Sequence, residues 1–165
     1  MKKIILTAFL ILCSVSFGEI KDNISLFSEE DTNVINEVIE KAEKEKDIKI
    51  YLNTVIGQES FQLENPQKTF IITYQKIGKD IIVTELKFTE DLKMGDKAQE
   101  IDLVLDSLKD RLFEKNYVEY TKNLIEQINT LIPLEQEEES VEKNFPEDSG
   151  TEKKSFFKRI FSKNP

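Results

Sequence analysis

Residues 68–89 read KTFIITYQKIGKDIIVTELKFT, which is two apolar, β-branched runs on either side of a turn that contains glycine. The runs 68–76 and 81–89 hold residue types that favour a pleated strand, and Gly78 suits the tight turn between them. A turn of this length between two such runs is typical of a β-hairpin. The stretch therefore predicts an antiparallel pair of strands.

The chain on the N-terminal side of the hairpin predicts one helix and one further strand. Ser28 and Asp31 have the spacing of a helical capping box, and an apolar stripe with a helical period follows over residues 34–42. Residues 47–56 then alternate with a period of two, which is the pattern of a strand. A polar loop at residues 57–67 connects this strand to the hairpin.

Two helices are predicted on the C-terminal side of the hairpin, after a loop at residues 90–96. Apolar residues recur with a helical period over residues 101–113 and again over residues 117–132, and Pro133 ends the second pattern. The expected fold is a single small α/β domain, in which three helices pack against a mixed sheet of three to four strands. The expected element order is helix, strand, strand, strand, helix, helix.

Residues 1–18 have the three parts of a secretory signal peptide. Two lysines precede an apolar run at residues 4–15, and Ser16 and Gly18 place small residues at positions −3 and −1 of a cut before Glu19. The run is shorter than the ~20 residues that span a bilayer. An uncleaved N-terminal anchor and a lipoprotein modified at Cys13 are the alternatives. The protein is therefore expected outside the cytoplasm, in the periplasm or another extracytoplasmic compartment.

The remaining chain divides into three parts by composition. Residues 19–134 form the predicted α/β domain, and residues 135–152, with eight carboxylates against one lysine, predict a disordered acidic linker. Residues 153–165 form a basic, aromatic tail with an amphipathic pattern, which favours peripheral contact with an anionic membrane. Docking to a protein partner and a passive terminus are the alternatives. The predicted contact residues of the tail are Phe156, Phe157, Lys158, Arg159, Ile160 and Phe161.

The composition excludes several kinds of chemistry. The chain carries 32 acidic and 23 basic side chains for a net charge of −9, and removal of the signal peptide takes two lysines and leaves −11. Nucleic-acid binding is not expected, because phosphates require a basic surface. The chain has no histidine, and its single cysteine lies in the signal peptide. This excludes Ser-His-Asp and Cys-His catalysis, the usual zinc sites, and haem or iron–sulfur ligation.

One loop carries the best local candidates for a metal site. Glu90, Asp91 and Asp96 lie close together in the sequence, and Gly95 relaxes the backbone between them. Carboxylate oxygens are the ligands that Ca²⁺ and other hard divalent cations prefer, although this spacing does not match the twelve-residue calcium loop. A solvated loop is the alternative, because acidic residues are frequent throughout the chain. No other cofactor is expected.

Several segments together resemble the TPM domain family, which includes the thylakoid lumen repair proteins and the bacterial YgcG group. The matching residues are Ile20–Asp22 and Leu26–Glu30, the strand at 48–56, and Asn116 and Tyr117 before the last helix. The resemblance covers residues 22–133 and implies a shortened member, because residues 57–67 stand where the family has a helical crossover. It implies a domain that assists the assembly or repair of membrane complexes. Members of the family bind calcium or have been linked to phosphatase activity, and Asp22 is the acidic residue that the resemblance implies for such a site.

These observations predict an exported, non-catalytic accessory domain that binds an unidentified protein partner near a membrane. The first alternative is a metal-dependent acid phosphatase of the TPM type, with Asp22 and the three acidic residues of the 90–96 loop as metal ligands. The second alternative is a simple structural protein of the cell envelope.

Overall fold

A computed structural model describes residues 19–57, 63–79 and 81–134 of the chain. The predicted signal peptide, acidic linker and basic tail, including the six contact residues at 156–161, lie outside these ranges. The described elements are β1 (Ile20–Asp22), α1 (Glu29–Lys46), β2 (Lys49–Ile56), β3 (Thr69–Ile77), β4 (Ile81–Phe88), α2 (Ala98–Phe113) and α3 (Tyr117–Leu131). Short 3₁₀ turns at Glu90–Leu92 and Gly95–Lys97 separate β4 from α2.

The predicted single α/β domain with three helices and a mixed sheet is confirmed, with one strand added before the first helix. The sheet order is β1-β2-β3-β4. β1, β2 and β3 run parallel, whereas β3 and β4 form the predicted antiparallel hairpin. β1 was not predicted, because three residues are too few to display a period of two. It forms by pairing with β2, where the Leu52 N–H donates to the Glu19 carbonyl at 3.0 Å.

The hydrophobic core lies between one face of the sheet and the three helices. On this face, alternate strand residues such as Leu52, Ile72 and Tyr74 are fully buried, as the period of two requires. The helices contribute side chains three and four residues apart, which is the apolar stripe of a helix packed on one side. Fully buried helix residues in this core include Ile35, Ile39, Leu105, Leu108, Leu124 and Ile125.

Helix α1 is capped at both ends. The Asp31 N–H donates to Ser28 Oγ at 3.1 Å and the Ser28 N–H donates to Asp31 Oδ2 at 2.9 Å, so the predicted capping box is confirmed. At the other end Asp47 has a left-handed φ of 52°, and its N–H donates to the Glu43 carbonyl. This turn leads the chain directly into β2. It therefore places the basic last turn of α1 beside the N-terminal end of β2.

Helix α3 is fastened to the sheet by an aromatic and hydroxyl cluster. Tyr74 of β3 packs edge-on against Phe27 and Tyr120, with ring centroids 5.9 and 6.1 Å away. The Tyr74 hydroxyl lies 2.6 Å from Thr121 Oγ1. Because the Thr121 hydroxyl donates its one hydrogen to the Tyr117 carbonyl at 2.7 Å, Tyr74 must be the donor to Thr121. The cluster therefore fixes how α3 sits on β3.

Candidate functional site

Asp22, the metal ligand that the family resemblance implies, lies at the C-terminal end of β1. Its Oδ1 accepts a hydrogen bond from the Thr54 hydroxyl at 2.6 Å, and its Oδ2 accepts one from the Phe27 N–H at 2.9 Å. Burial raises the pKa of Asp22, but hydrogen bonds from the Thr54 hydroxyl and from the backbone of Phe27, Leu26 and Ile24 outweigh it and hold the pKa below its ordinary value. Both carboxylate oxygens thus anchor the loop between β1 and α1.

The three acidic residues of the predicted metal loop lie at the other end of the strands. Asp91 Oδ2 accepts a hydrogen bond from the Lys68 N–H at 2.7 Å, directly before β3. Burial raises the pKa of Asp91, but hydrogen bonds from the Thr89 hydroxyl and the Lys68 N–H keep it below its ordinary value. Glu90 and Asp96 are exposed and belong to separate 3₁₀ turns.

The structure does not bring the four predicted metal ligands together. Asp22 lies opposite Thr54, near the C-terminal end of β2. Asp91 accepts a hydrogen bond from the Lys68 N–H, and the Lys68 carbonyl accepts one from Lys49 at the N-terminal end of β2. The strand between those ends rises by roughly 16 Å, at ~3.3 Å per residue. Among the described residues, no group of three or more His, Cys, Asp or Glu side chains is placed to hold a metal ion.

A surface groove opens at the N-terminal ends of β2 and β3. Its walls are the last turn of α1, the starts of the two strands, the first 3₁₀ turn and the residues that follow α3. It has two adjoining parts, with volumes of about 430 and 100 Å³. We call it the lysine groove. Its charged lining residues are Lys44, Lys46, Lys49, Lys68, Lys93, Glu43, Asp47 and Asp91.

Backbone hydrogen bonds fix the frame of the lysine groove. The Lys49 N–H donates to the Lys68 carbonyl at 2.8 Å, and the Lys68 N–H donates to Asp91. The Ile50 N–H donates to Glu43 Oε1 at 2.7 Å, and Glu43 is only 5 % exposed. A buried carboxylate requires such a partner. Two of the three carboxylates in the lysine groove are therefore part of its framework.

The lysine groove is positively charged within an acidic protein. Its five lysines and three carboxylates give a net charge of +2, against −9 for the whole chain. Lys44 and Lys46 lie at the C-terminal end of α1, where the helix dipole favours cations and gives them a structural role as well. Lys49, Lys68 and Lys93 lie outside the α-helices, and Lys68 Nζ forms an ion pair with Asp47 Oδ2 at 3.2 Å. This arrangement favours an anionic ligand.

Three residues that line the lysine groove have a left-handed backbone. The φ angles are 52° at Asp47, 43° at Lys68 and 49° at Lys93. Asp47 and Lys93 are the left-handed caps that end α1 and the first 3₁₀ turn, and Lys68 ends the loop before β3. These angles turn the backbone so that the three turns meet at the lysine groove.

The sequence alone did not identify the lysine groove. Its lysines lie in three separate turns, and the run KAEKEKDIK at residues 41–49 looks like a solvated turn. The parallel pairing of β2 with β3, which places Lys49 opposite Thr69, is what brings these turns to one edge. A lysine at or beside the first residue of each strand, Lys49 and Lys68, is the one local signal that points to this site.

Comparison with known proteins returns no matching family model, curated protein or solved structure. The resemblance to the TPM domain family therefore stays a prediction. Within the described ranges, no helix has the length and apolarity that crossing a bilayer requires.

Proposed function

We propose that the protein is an exported, non-catalytic binding domain that works beside a membrane and holds an acidic segment of a partner protein in the lysine groove. The lysine groove carries this proposal. It brings five lysines together in a protein of net charge −9, at the strand ends where backbone hydrogen bonds fix three converging turns. Complementary charge at such a site selects acidic partners and speeds their association.

The charged lining favours a chain segment with several carboxylates as the ligand. Seven charged or polar residues and Ile48 line the larger part of the lysine groove. Each exposed ion pair contributes at most about 1 kcal/mol, so one carboxylate is held too weakly to be selected. A run of carboxylates can contact several lysines together. An acidic polypeptide segment therefore fits the lysine groove better than a lone anion.

The two ends of the chain support the membrane part of the proposal. The signal-peptide pattern at residues 1–18 predicts export, and the basic, aromatic tail at residues 153–165 predicts contact with anionic lipid. The resemblance to the TPM domain family suggests a role in the assembly or repair of membrane complexes. The partner in this proposal is thus a protein with an acidic segment at the outer side of a membrane.

Fluorescence anisotropy with a fluorescein-labelled oligoglutamate peptide tests the proposal on residues 19–165. We expect binding that weakens as salt is raised to about 0.5 M, because added salt shortens the Debye length and screens the attraction between peptide and lysines. The Lys68→Gln/Lys93→Gln variant should lose most of this binding. The Lys109→Gln/Lys122→Gln variant is the matched control, since it removes the same charge from helix lysines that pair with Asp106 and Glu119.

Two results contradict the proposal. Equal loss of peptide binding in both double variants means that net charge, and not the lysine groove, attracts the peptide. Hydrolysis of a generic phosphomonoester that rises with added Ca²⁺ or another divalent cation favours the acid phosphatase alternative instead.

A further inference from the structure

The described domain ends at the lysine groove. Lys46 Nζ donates to the Ile132 carbonyl at 2.7 Å, which ties the residues after α3 to the last turn of α1. Ile132 is 3 % exposed and, with Pro133, lines the smaller part of the lysine groove. Leu134 is already half exposed. The next residues of the chain therefore start at the rim of the lysine groove.

These next residues carry a net charge opposite to that of the lysine groove. Residues 135–142 read EQEEESVE, with five glutamates and no basic residue. An extended chain advances by at most ~3.6 Å per residue, so Glu137, Glu138 and Glu139 reach roughly 10–18 Å from Leu134. Two adjacent strands and a helix packed on them span a similar distance. The glutamates can therefore reach the lysines of all three turns.

We propose that residues 135–142 dock in the lysine groove of their own chain and compete with outside acidic ligands. A segment joined directly to its site has an effective concentration in the millimolar range, so weak ion pairs are enough to populate the docked state. An outside ligand then binds with an affinity reduced by the fraction of free lysine groove. Competition with an outside ligand rests on the proposed function, whereas the docking itself is measured without a partner.

The test compares amide ¹H–¹⁵N spectra of residues 19–165 and of two variants. Glu137→Gln/Glu138→Gln/Glu139→Gln should shift the amide signals of Ile48, Lys68 and Lys93 and leave α2 unchanged. Salt at about 0.5 M should produce the same shifts in the unchanged sequence. Glu147→Gln/Asp148→Asn/Glu152→Gln, which removes the same charge further along the linker, should leave the lysine groove signals in place.

A charge exchange provides the second test. Lys68→Glu should release the segment and reproduce the shifts, and added Glu138→Lys should restore the original positions. The inference is overturned if the amide signals of the lysine groove shift neither in the glutamate variant nor with added salt. Signals that change on dilution also overturn it, because they show that the segment of a second copy is the occupant.

The outside ligand separates this inference from the proposed function. If the segment fills the lysine groove about 90 % of the time, its triple variant should bind oligoglutamate about tenfold more tightly. Equal and measurable binding by both proteins keeps the proposed function and overturns self-docking. Spectral shifts without any peptide binding keep self-docking and overturn the proposed function.

Discussion

Asp22, which the family resemblance implies as a metal ligand, has a structural role in the fold. Its two oxygens accept hydrogen bonds from the Thr54 hydroxyl and the Phe27 N–H. Asn23 strengthens the same junction, because its amide donates to the Thr54 carbonyl at 2.8 Å. The side chains after β1 thus join the strand to the loop that enters α1.

Replacement of Asp22 by Asn should lower the free energy of unfolding by about 1–3 kcal/mol at neutral pH, because one of the two donors then faces an NH₂ group. The pKa of Asp22 is below its ordinary value of 3.8 in the folded protein. Its contribution is therefore complete above the unfolded pKa and is lost as the pH falls through the folded pKa. Urea unfolding between pH ~7 and ~3 should show the difference between the two proteins narrowing in acid.

The exposed Asp96 provides the control for this experiment. Asp96→Asn should change the free energy of unfolding by less than about 0.5 kcal/mol. An Asp22→Asn protein as stable as the Asp96→Asn protein at neutral pH contradicts the anchoring role of Asp22.

At the scale of elements, the sequence predicted those that are long enough to display their own period. Helices α1, α2 and α3 and strand β2 each show a regular spacing of apolar residues, and β3 and β4 are apolar, β-branched runs on either side of a turn. The core is built largely from these residues. Phe113 is an exception. It is 43 % exposed because it lies about 100° around the helix from Leu112, which the core takes instead. β1 was missed because its position depends on pairing with β2 and not on its own three residues.

The lysine groove was missed for a related reason. It depends on which strand ends meet at one edge, and a sequence period carries no information about parallel or antiparallel pairing. The local signals were present, since Lys49 and Lys68 flank the starts of β2 and β3, but each alone is an ordinary exposed turn residue. Residue patterns thus specified the elements, whereas long-range register specified the site.

The contact between β3 and α3 can be measured by a double-mutant cycle. Tyr74→Phe removes the donor to Thr121, and Thr121→Val removes the acceptor. We expect each substitution to lower the free energy of unfolding by about 0.5–1.5 kcal/mol. Because residues in contact are usually coupled, we expect a coupling energy of about 0.5 kcal/mol or more between them. Urea unfolding of the four proteins gives the coupling. Additive effects would mean that the hydroxyl pair does not help to fix α3 on the sheet.

At the scale of the whole molecule, charge is segregated along the chain. The predicted domain and linker are acidic, whereas residues 153–165 contain five basic side chains and no acidic one. Each basic residue near an anionic bilayer contributes about 1 kcal/mol, and aromatic side chains add apolar burial. In the proposed arrangement, such a tail would hold an acidic domain next to an anionic surface that would otherwise repel it.

Co-sedimentation with liposomes tests this arrangement. Residues 19–165 should sediment with anionic vesicles and stay in solution with neutral ones, and the chain that ends at Gly150 should stay in solution with both. Phe156→Ser/Phe157→Ser keeps the charge and should weaken sedimentation, because it removes apolar burial. If the full chain fails to sediment with anionic vesicles, the tail does not tether the protein to a membrane.

The short strand β1 has a consequence for the predicted cleavage of the signal peptide. The Glu19 carbonyl is already bonded to Leu52, so the predicted cut before Glu19 falls directly against the edge of the folded sheet. A peptidase needs several extended residues around the bond that it cleaves, and a completed sheet edge withholds them. If the chain is cut there, as the signal-peptide pattern predicts, the cut would have to precede the closure of β1 onto β2. Maturation and the pairing of β1 would then be coupled in time.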